Sequence, residues 1–83
     1  MKCYYQIDEN WIKGEVESLG GIQVCFHSRD KRGRVLEEVT LTNPEIIFHG
    51  SGFTVTGYRR DDDKKNSTFH LESVEVRSKH GNN

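Results

Sequence analysis

Two cysteines, Cys3 and Cys25, allow at most one disulfide, and no Cys-x-x-Cys or Cys/His spacing for zinc occurs. Free thiols in a reducing compartment are therefore expected. A single proline, Pro44, leaves the rest of the chain without backbone donors removed. There is no excess of one charge: 12 Lys and Arg face 13 Asp and Glu, for a net charge of −1. Strong non-specific nucleic-acid binding normally needs a basic domain, so this composition argues against it. Long apolar runs are missing too. The N-terminus MKCYYQIDEN is too polar for a signal peptide, and no stretch is long enough to span a membrane. The expected location is the cytoplasm, or the host cytoplasm for a viral protein.

What the sequence does contain is two-fold periodicity. With 83 residues, 33% of them hydrophobic and 30% charged, a single domain with a small core is expected. Ile22, Val24 and Phe26 alternate with Gln23, Cys25 and His27, the mark of a half-buried strand. Asp30-Lys31-Arg32-Gly33 is a polar turn whose glycine suits positive φ. Val35, Val39 and Leu41 share one face of the next strand, which Asn43-Pro44 is expected to break. Ile46-Ile47-Phe48 is apolar on both faces and reads as the most enclosed strand. His49-Gly50-Ser51-Gly52 is a hairpin turn, followed by Phe53, Val55 and Gly57 on one face. Residues 59–67 read as a charged loop. Phe69 and Leu71 open the last strand, and Val74 and Val76 continue it. The shift in parity between Leu71 and Val74 calls for a β-bulge near Glu72-Ser73.

The first twenty residues admit two readings. Ile12, Val16 and Leu19 fit one helical face, with Asp8 as cap and Gly20-Gly21 as stop, although Gly14 costs about 1 kcal/mol inside a helix. Alternatively Lys2–Ile7 and Trp11–Ser18 pair as a hairpin about Asp8-Glu9-Asn10. The expected architecture is all-β: a small Sm/SH3-like antiparallel barrel of about five strands over residues 21–77, an N-terminal hairpin or short helix over 1–20, and a flexible tail over 78–83.

Signs of catalysis are weak. The four histidines, His27, His49, His70 and His80, do not converge with other ligands; His27 and His70 are expected to face outward on different strands. Asp61-Asp62-Asp63 lacks the oxygen spacing and glycine of a calcium loop. Glu37 and Glu38 are adjacent in a strand and so point to opposite faces. No nucleophile elbow or phosphate-cradling glycine loop is present. No enzyme activity, metal or cofactor is expected.

Binding residues are easier to nominate. Arg29, Lys31, Arg32 and Arg34 form one basic cluster, and Arg59 and Arg60, with Lys64 and Lys65, form another. Phe53 and Tyr58 lie near the second and could stack on bases. In a meander of five strands the two clusters fall at opposite ends, and Asp30 and Asp61–Asp63 dilute them, which favours a solvated-loop reading. Tyr4, Tyr5 and Trp11 either complete the core or form an aromatic protein-interface anchor.

These segments together resemble the WYL domain, an Sm-like or SH3-like barrel of bacterial regulators and defence proteins. The resemblance runs through Phe26-His27-Ser28, Asn43-Pro44, Phe53-Thr54-Val55, Gly57-Tyr58 and Phe69-His70-Leu71-Glu72-Ser73-Val74. It implies a barrel with a nucleotide- or nucleic-acid-binding face. Here Thr54 stands at the named tyrosine, and His70 and Ser73 stand at two arginines of the last motif. The expected function is thus a non-catalytic binding module, a small regulator or inhibitor acting on a protein partner and encoded by a phage or mobile element. The second expectation is nucleic-acid or nucleotide binding through the basic loops. Homo-oligomerisation through open strand edges is a third.

Overall fold

In a computed structural model the described residues, 1–62 and 67–78, form six antiparallel strands: β1 (Lys2–Ile7), β2 (Asn10–Leu19), β3 (Gln23–Arg29), β4 (Val35–His49), β5 (Gly52–Asp62) and β6 (Ser67–Arg77). Each pairs with its neighbour in sequence, and β6 returns to β1 to close a barrel. The all-β expectation holds, and the architecture is compatible with an SH3- or Sm-like barrel. There are six strands instead of about five: the N-terminal segment adds two to the barrel wall, and the two strands expected on either side of Asn43-Pro44 are one, β4. The helical reading of residues 1–20 is overturned. Cys3, Tyr5 and Ile7 alternate inward on β1, opposite Gly14, Ile12 and Asn10 on β2. Asp8 (φ 50°) and Glu9 (φ 67°) make the tight two-residue turn. Two positive φ values match the right-handed twist of the flanking strands, as in a type I′ hairpin.

The core consists of Cys3, Tyr5, Val24, Phe26, Val39, Leu41, Val55, Val74 and Val76, supported by Ile7, Ile12, Val16 and Phe53. Tyr5 and Phe26 meet at its centre with ring centroids 5.4 Å apart. Gly14 is where β2 passes beneath this pair: a β-carbon there would meet the backbone carbonyl oxygen of His27 and lie 2.8 Å from Cε1 of Tyr5. The glycine that counts against a helix is thus required by the barrel, because only hydrogen leaves room for the tyrosine ring. Cys3 points inward and Cys25 lies on the other face; both are free and buried.

Four strand-level expectations are corrected. First, Asn43-Pro44 does not end a strand: β4 runs through it for 15 residues, and the register with β5 shifts between Thr42 and Glu45. Asn43 takes φ 52° and donates its N–H to the carbonyl of Ile22 (2.8 Å). Pro44, which has no N–H to donate, sits where the ladder is already interrupted. Second, β6 has no bulge at Glu72-Ser73; its register with β5 is unbroken from Gly52↔Arg77 to Asp62↔Ser67. Leu71 simply lies on the outer face. Third, Ile46, Ile47 and Phe48 are not enclosed but 45%, 54% and 77% exposed, because the β4–β5 hairpin overhangs the end of the barrel. Fourth, Ile22 is 63% exposed, in the turn before β3.

The expected loop over 59–67 is shorter than its charge suggests, since β5 extends to Asp62 and β6 begins at Ser67. Asp63, Lys64, Lys65 and the tail from residue 79, including His80, lie outside the described residues.

Candidate functional site

Beyond Val55 and Val74 the β5–β6 hairpin has two chemically different faces, and past Arg59, the last β5 residue paired with β4, it continues as an arm. Residues directly opposite each other in a sheet share a face. The outer face therefore carries Tyr58↔Leu71 and Arg60↔Phe69. These apolar side chains are exposed, Tyr58 by 46%, Phe69 by 57% and Leu71 by 62%. The inner-parity face carries Arg59↔His70, Gly57↔Glu72 and Asp61. His70 therefore stands on the inner parity, not on the outer one expected from the sequence, because the unbulged register keeps it in phase with Val74 and Val76.

On this inner face the charges pair with each other. Arg59 donates from Nη1 to Glu72 at 3.1 Å. His70 bridges two carboxylates, Nδ1 to Asp61 at 2.9 Å and Nε2 to Glu72 at 3.1 Å. The hydrogen bond to Glu72 first, then that to Asp61, hold the imidazolium proton and raise the His70 pKa above its ordinary 6.5. Because the folded value lies above the unfolded one, the contribution of this cluster is fully present below about pH 6.5 and is lost as pH rises through the folded value. An NMR titration of His70 should give a midpoint above 6.5, and Glu72→Gln should move it down. A midpoint unmoved by Glu72→Gln would contradict the cluster.

The opposite end of the barrel carries a second apolar group. Ile46 and Phe48 share the inner parity with Val55 and Phe53, but overhang the core. Phe48 packs against Phe53, with centroids 5.5 Å apart. Ile47, Thr54 and Glu75 form the adjacent outer row. There Thr54 hydrogen-bonds to Glu75, and Nε2 of His49 lies 2.8 Å from Oγ1 of Thr54 and 3.3 Å from Glu75.

The residues nominated from sequence separate into groups. In the β3–β4 turn, Asp30 accepts from the N–H groups of Arg32 (2.8 Å) and Arg34 (2.9 Å) and pairs with Nε of Arg34 (2.9 Å). The bond from the Arg34 N–H, followed by the other turn contacts, holds the Asp30 carboxyl below its ordinary range. Arg29 donates to the carbonyl of Gly33 at 2.7 Å. Arg59 is engaged by Glu72. The expectation that the two basic clusters fall at opposite ends is overturned: with β4 continuous, the β3–β4 turn and the C-terminal end of β5 point to the same end of the barrel. They do not merge, because Arg29 pairs with Val35 while Arg59 pairs with Leu41, six residues or roughly 20 Å further along β4.

Of the aromatic trio, Tyr5 is wholly buried and is withdrawn from any interface. Tyr4 and Trp11 are half-buried on the outer face, where Arg77 lies 5.2 Å from the centroid of the Trp11 ring. Phe53 is half-buried and Tyr58 exposed.

A cavity of about 450 Å³ opens between β1, β2 and β3. The buried Cys3 and Ser28 and the half-buried Gly14 line it, together with the exposed Lys2, Lys13 and Arg29. Burial, the largest influence, raises the Cys3 pKa and keeps it in the less reactive thiol form. His27 approaches Glu15 at 3.4 Å beside this cavity. Among the described residues no three His, Cys, Asp or Glu side chains come together to hold a metal. No described helix is long and apolar enough to cross a membrane.

Sequence periodicity missed the exposed Ile46, Ile47, Phe48, Phe69 and Leu71, and the Asp61–His70–Glu72 cluster. The available signals were three consecutive apolar residues beside a hairpin turn, and the parity change between Leu71 and Val74. No family model matches this chain, and no curated protein or solved structure matches it.

Proposed function

We propose that this barrel is a non-catalytic binding module, a small regulator or inhibitor, that engages a protein partner through the overhanging β4–β5 end. The observation that carries this reading is the exposure of Ile46, Ile47 and Phe48, at 45%, 54% and 77%, on a hairpin held rigid by its ladder with β5. Neighbouring exposed apolar side chains on a small soluble domain mark an interaction surface, and aromatic side chains serve as anchors in such interfaces. Phe48 is pre-positioned by its contact with Phe53, so less side-chain freedom is lost on binding.

The second reading is nucleic-acid or nucleotide binding by a WYL-like barrel through Arg29, Lys31, Arg32, Arg34, Arg59 and Arg60. The β3–β4 turn and the C-terminal end of β5 point to the same end of the barrel, which favours it, while Arg59 stands roughly 20 Å along β4 from Arg29. Against it stand the pairing of Arg34 with Asp30 and of Arg59 with Glu72, and the carboxylates that flank His70. His70 and Ser73 replace the arginines that the WYL resemblance would supply, and Ser73 is bonded to Thr56 at 2.8 Å.

Capture from nuclease-treated native lysate tests the choice. One stoichiometric protein retained by the wild type and lost with Phe48→Ser, but kept with Arg32→Ser, is the expected result. Loss of all bound material after nuclease, or retention unaffected by Phe48→Ser, overturns the β4–β5 interface.

A further inference from the structure

The barrel closes through a short seam. β6 pairs with β1 only at Val76↔Tyr5 and Arg77↔Tyr4. From Ser67 to Glu75 the other edge of β6 has no ladder partner among the described residues, while its inner edge is fully paired with β5. An uncovered strand edge beside exposed apolar side chains is a template for further pairing. The centre of this edge, Leu71, is opposite Tyr58, toward the other end of β5 from Phe53 and Phe48, so it is separate from the Phe48 anchor of the surface proposed for the protein partner.

We propose that the β6 edge from Thr68 to Val74 pairs antiparallel with the same edge of a second copy of this chain, about a two-fold axis at Leu71. The sequence of the edge is self-complementary in this register. Leu71 then faces Leu71 of the partner subunit, and Phe69 faces Ser73 of the partner subunit. On the inner-parity face His70 stands opposite Glu72 of the partner subunit, and Glu72 opposite His70 of the partner subunit. Opposite charges directly across a ladder attract, and like charges repel.

The neighbouring registers fail on the same grounds. Centring on Glu72 sets two carboxylates opposite each other, and centring on His70 opposes two imidazoles. A one-residue slip sets the apolar face of one copy against the charged face of the other, since side-chain direction alternates at every residue. Centring on Ser73 or beyond drives the second copy into β1, which already occupies the edge at Val76. In the Leu71 register the outer face joins Tyr58, Phe69 and Leu71 from both copies into one apolar patch across the axis. The contact is isologous, so it closes as a dimer and does not propagate into a ring or fibre.

Sedimentation velocity and a cysteine series on the full chain test the register. The wild type should form a concentration-dependent dimer. Leu71→Lys, which sets two ammonium groups face to face at an exposed position, should be monomeric at concentrations where the wild type is dimeric, with an unchanged circular dichroism spectrum. Phe48→Ser should stay dimeric, so that failure of this contact is distinguishable from failure of the protein-binding surface. Under mild oxidation Leu71→Cys should give an intermolecular disulfide and Thr56→Cys none. A wild type that stays monomeric throughout, a dimer indifferent to Leu71→Lys, or equal cross-linking of Leu71→Cys and Thr56→Cys overturns the proposal. So does pairing of this edge with an extended segment of another protein in place of a second copy.

Discussion

Replacing Phe26 with alanine should lower the melting temperature by about 15–30 °C, which leaves much of the protein unfolded at physiological temperature. Phe26 is fully buried and meets Tyr5 at the centre of the barrel. Truncating a buried phenylalanine typically costs about 3–5 kcal/mol, since transfer energy is lost and a cavity is left. A domain of this length has about 4–12 kcal/mol of total stability, and each kcal/mol moves the melting point of so small a domain by about 4–8 °C. The wall cannot collapse into the cavity without breaking strand ladders on both sides, as β3 is paired with β2 and β4. Phe48→Ala, at a side chain 77% exposed, should change stability by less than about 0.5 kcal/mol. Thermal melts of the two variants followed by circular dichroism give the comparison. Equal effects would mean that inside and outside have been assigned wrongly.

Gly14→Ala should destabilise by about 3 kcal/mol or more, although alanine normally improves on glycine within a strand by about 0.5–1 kcal/mol. The added methyl meets the carbonyl oxygen of His27 and Cε1 of Tyr5. The first is backbone held in the β2–β3 ladder at Glu15↔His27, so it cannot move aside as a flexible side chain would. Overpacking in a core typically costs about 1–3 kcal/mol, and here part of the ladder must open as well. Lys13→Ala, one residue away on the outer face, should stay within about 0.5 kcal/mol of the wild type. A urea midpoint for Gly14→Ala at or above that of the wild type would contradict the close passage of β2 under Tyr5.

Alternation identified the strands well where both neighbours are strands. Val24 and Phe26, Val39 and Leu41, and Val55 are all found inside, and the turn at Gly33 takes the expected positive φ (85°). Reading failed where a strand outruns the core. Periodicity reports which side chains share a face, but not whether anything covers that face. Ile46 and Phe48 have the parity of Val55 yet stand exposed, and Leu71 and Phe69 lie opposite in parity to Val74 without any bulge. Proline lacks a donor and so predicts a strand end. The positive φ of Asn43 and the bulge that absorbs this lack depend on the carbonyl of Ile22, a contact between distant parts of the chain. A strand end at Pro44 would place the basic clusters at opposite ends. Local propensity makes Gly14 a cost to a helix, whereas its role is set by a tyrosine on the neighbouring strand.

The candidate site was less legible than the fold for the same reason. Charged residues are conspicuous in sequence, yet Arg34 and Arg59 are held by Asp30 and Glu72. Hydrophobicity and periodicity alone assign Ile46, Ile47, Phe48, Phe69 and Leu71 to strands without showing that they reach solvent. Only the lengths of β4, β5 and β6 relative to the barrel separate the two roles.

The central claim is that partner binding rests on apolar contact at Ile46, Ile47 and Phe48 and not on neutralised phosphates. The most direct measurement is the dissociation constant of the captured partner across a series of rising salt concentrations. A nearly flat dependence, with binding abolished by Phe48→Ser, is predicted. A logarithmic affinity that falls steeply and linearly with the logarithm of salt, while Phe48→Ser binds as the wild type does, would contradict it.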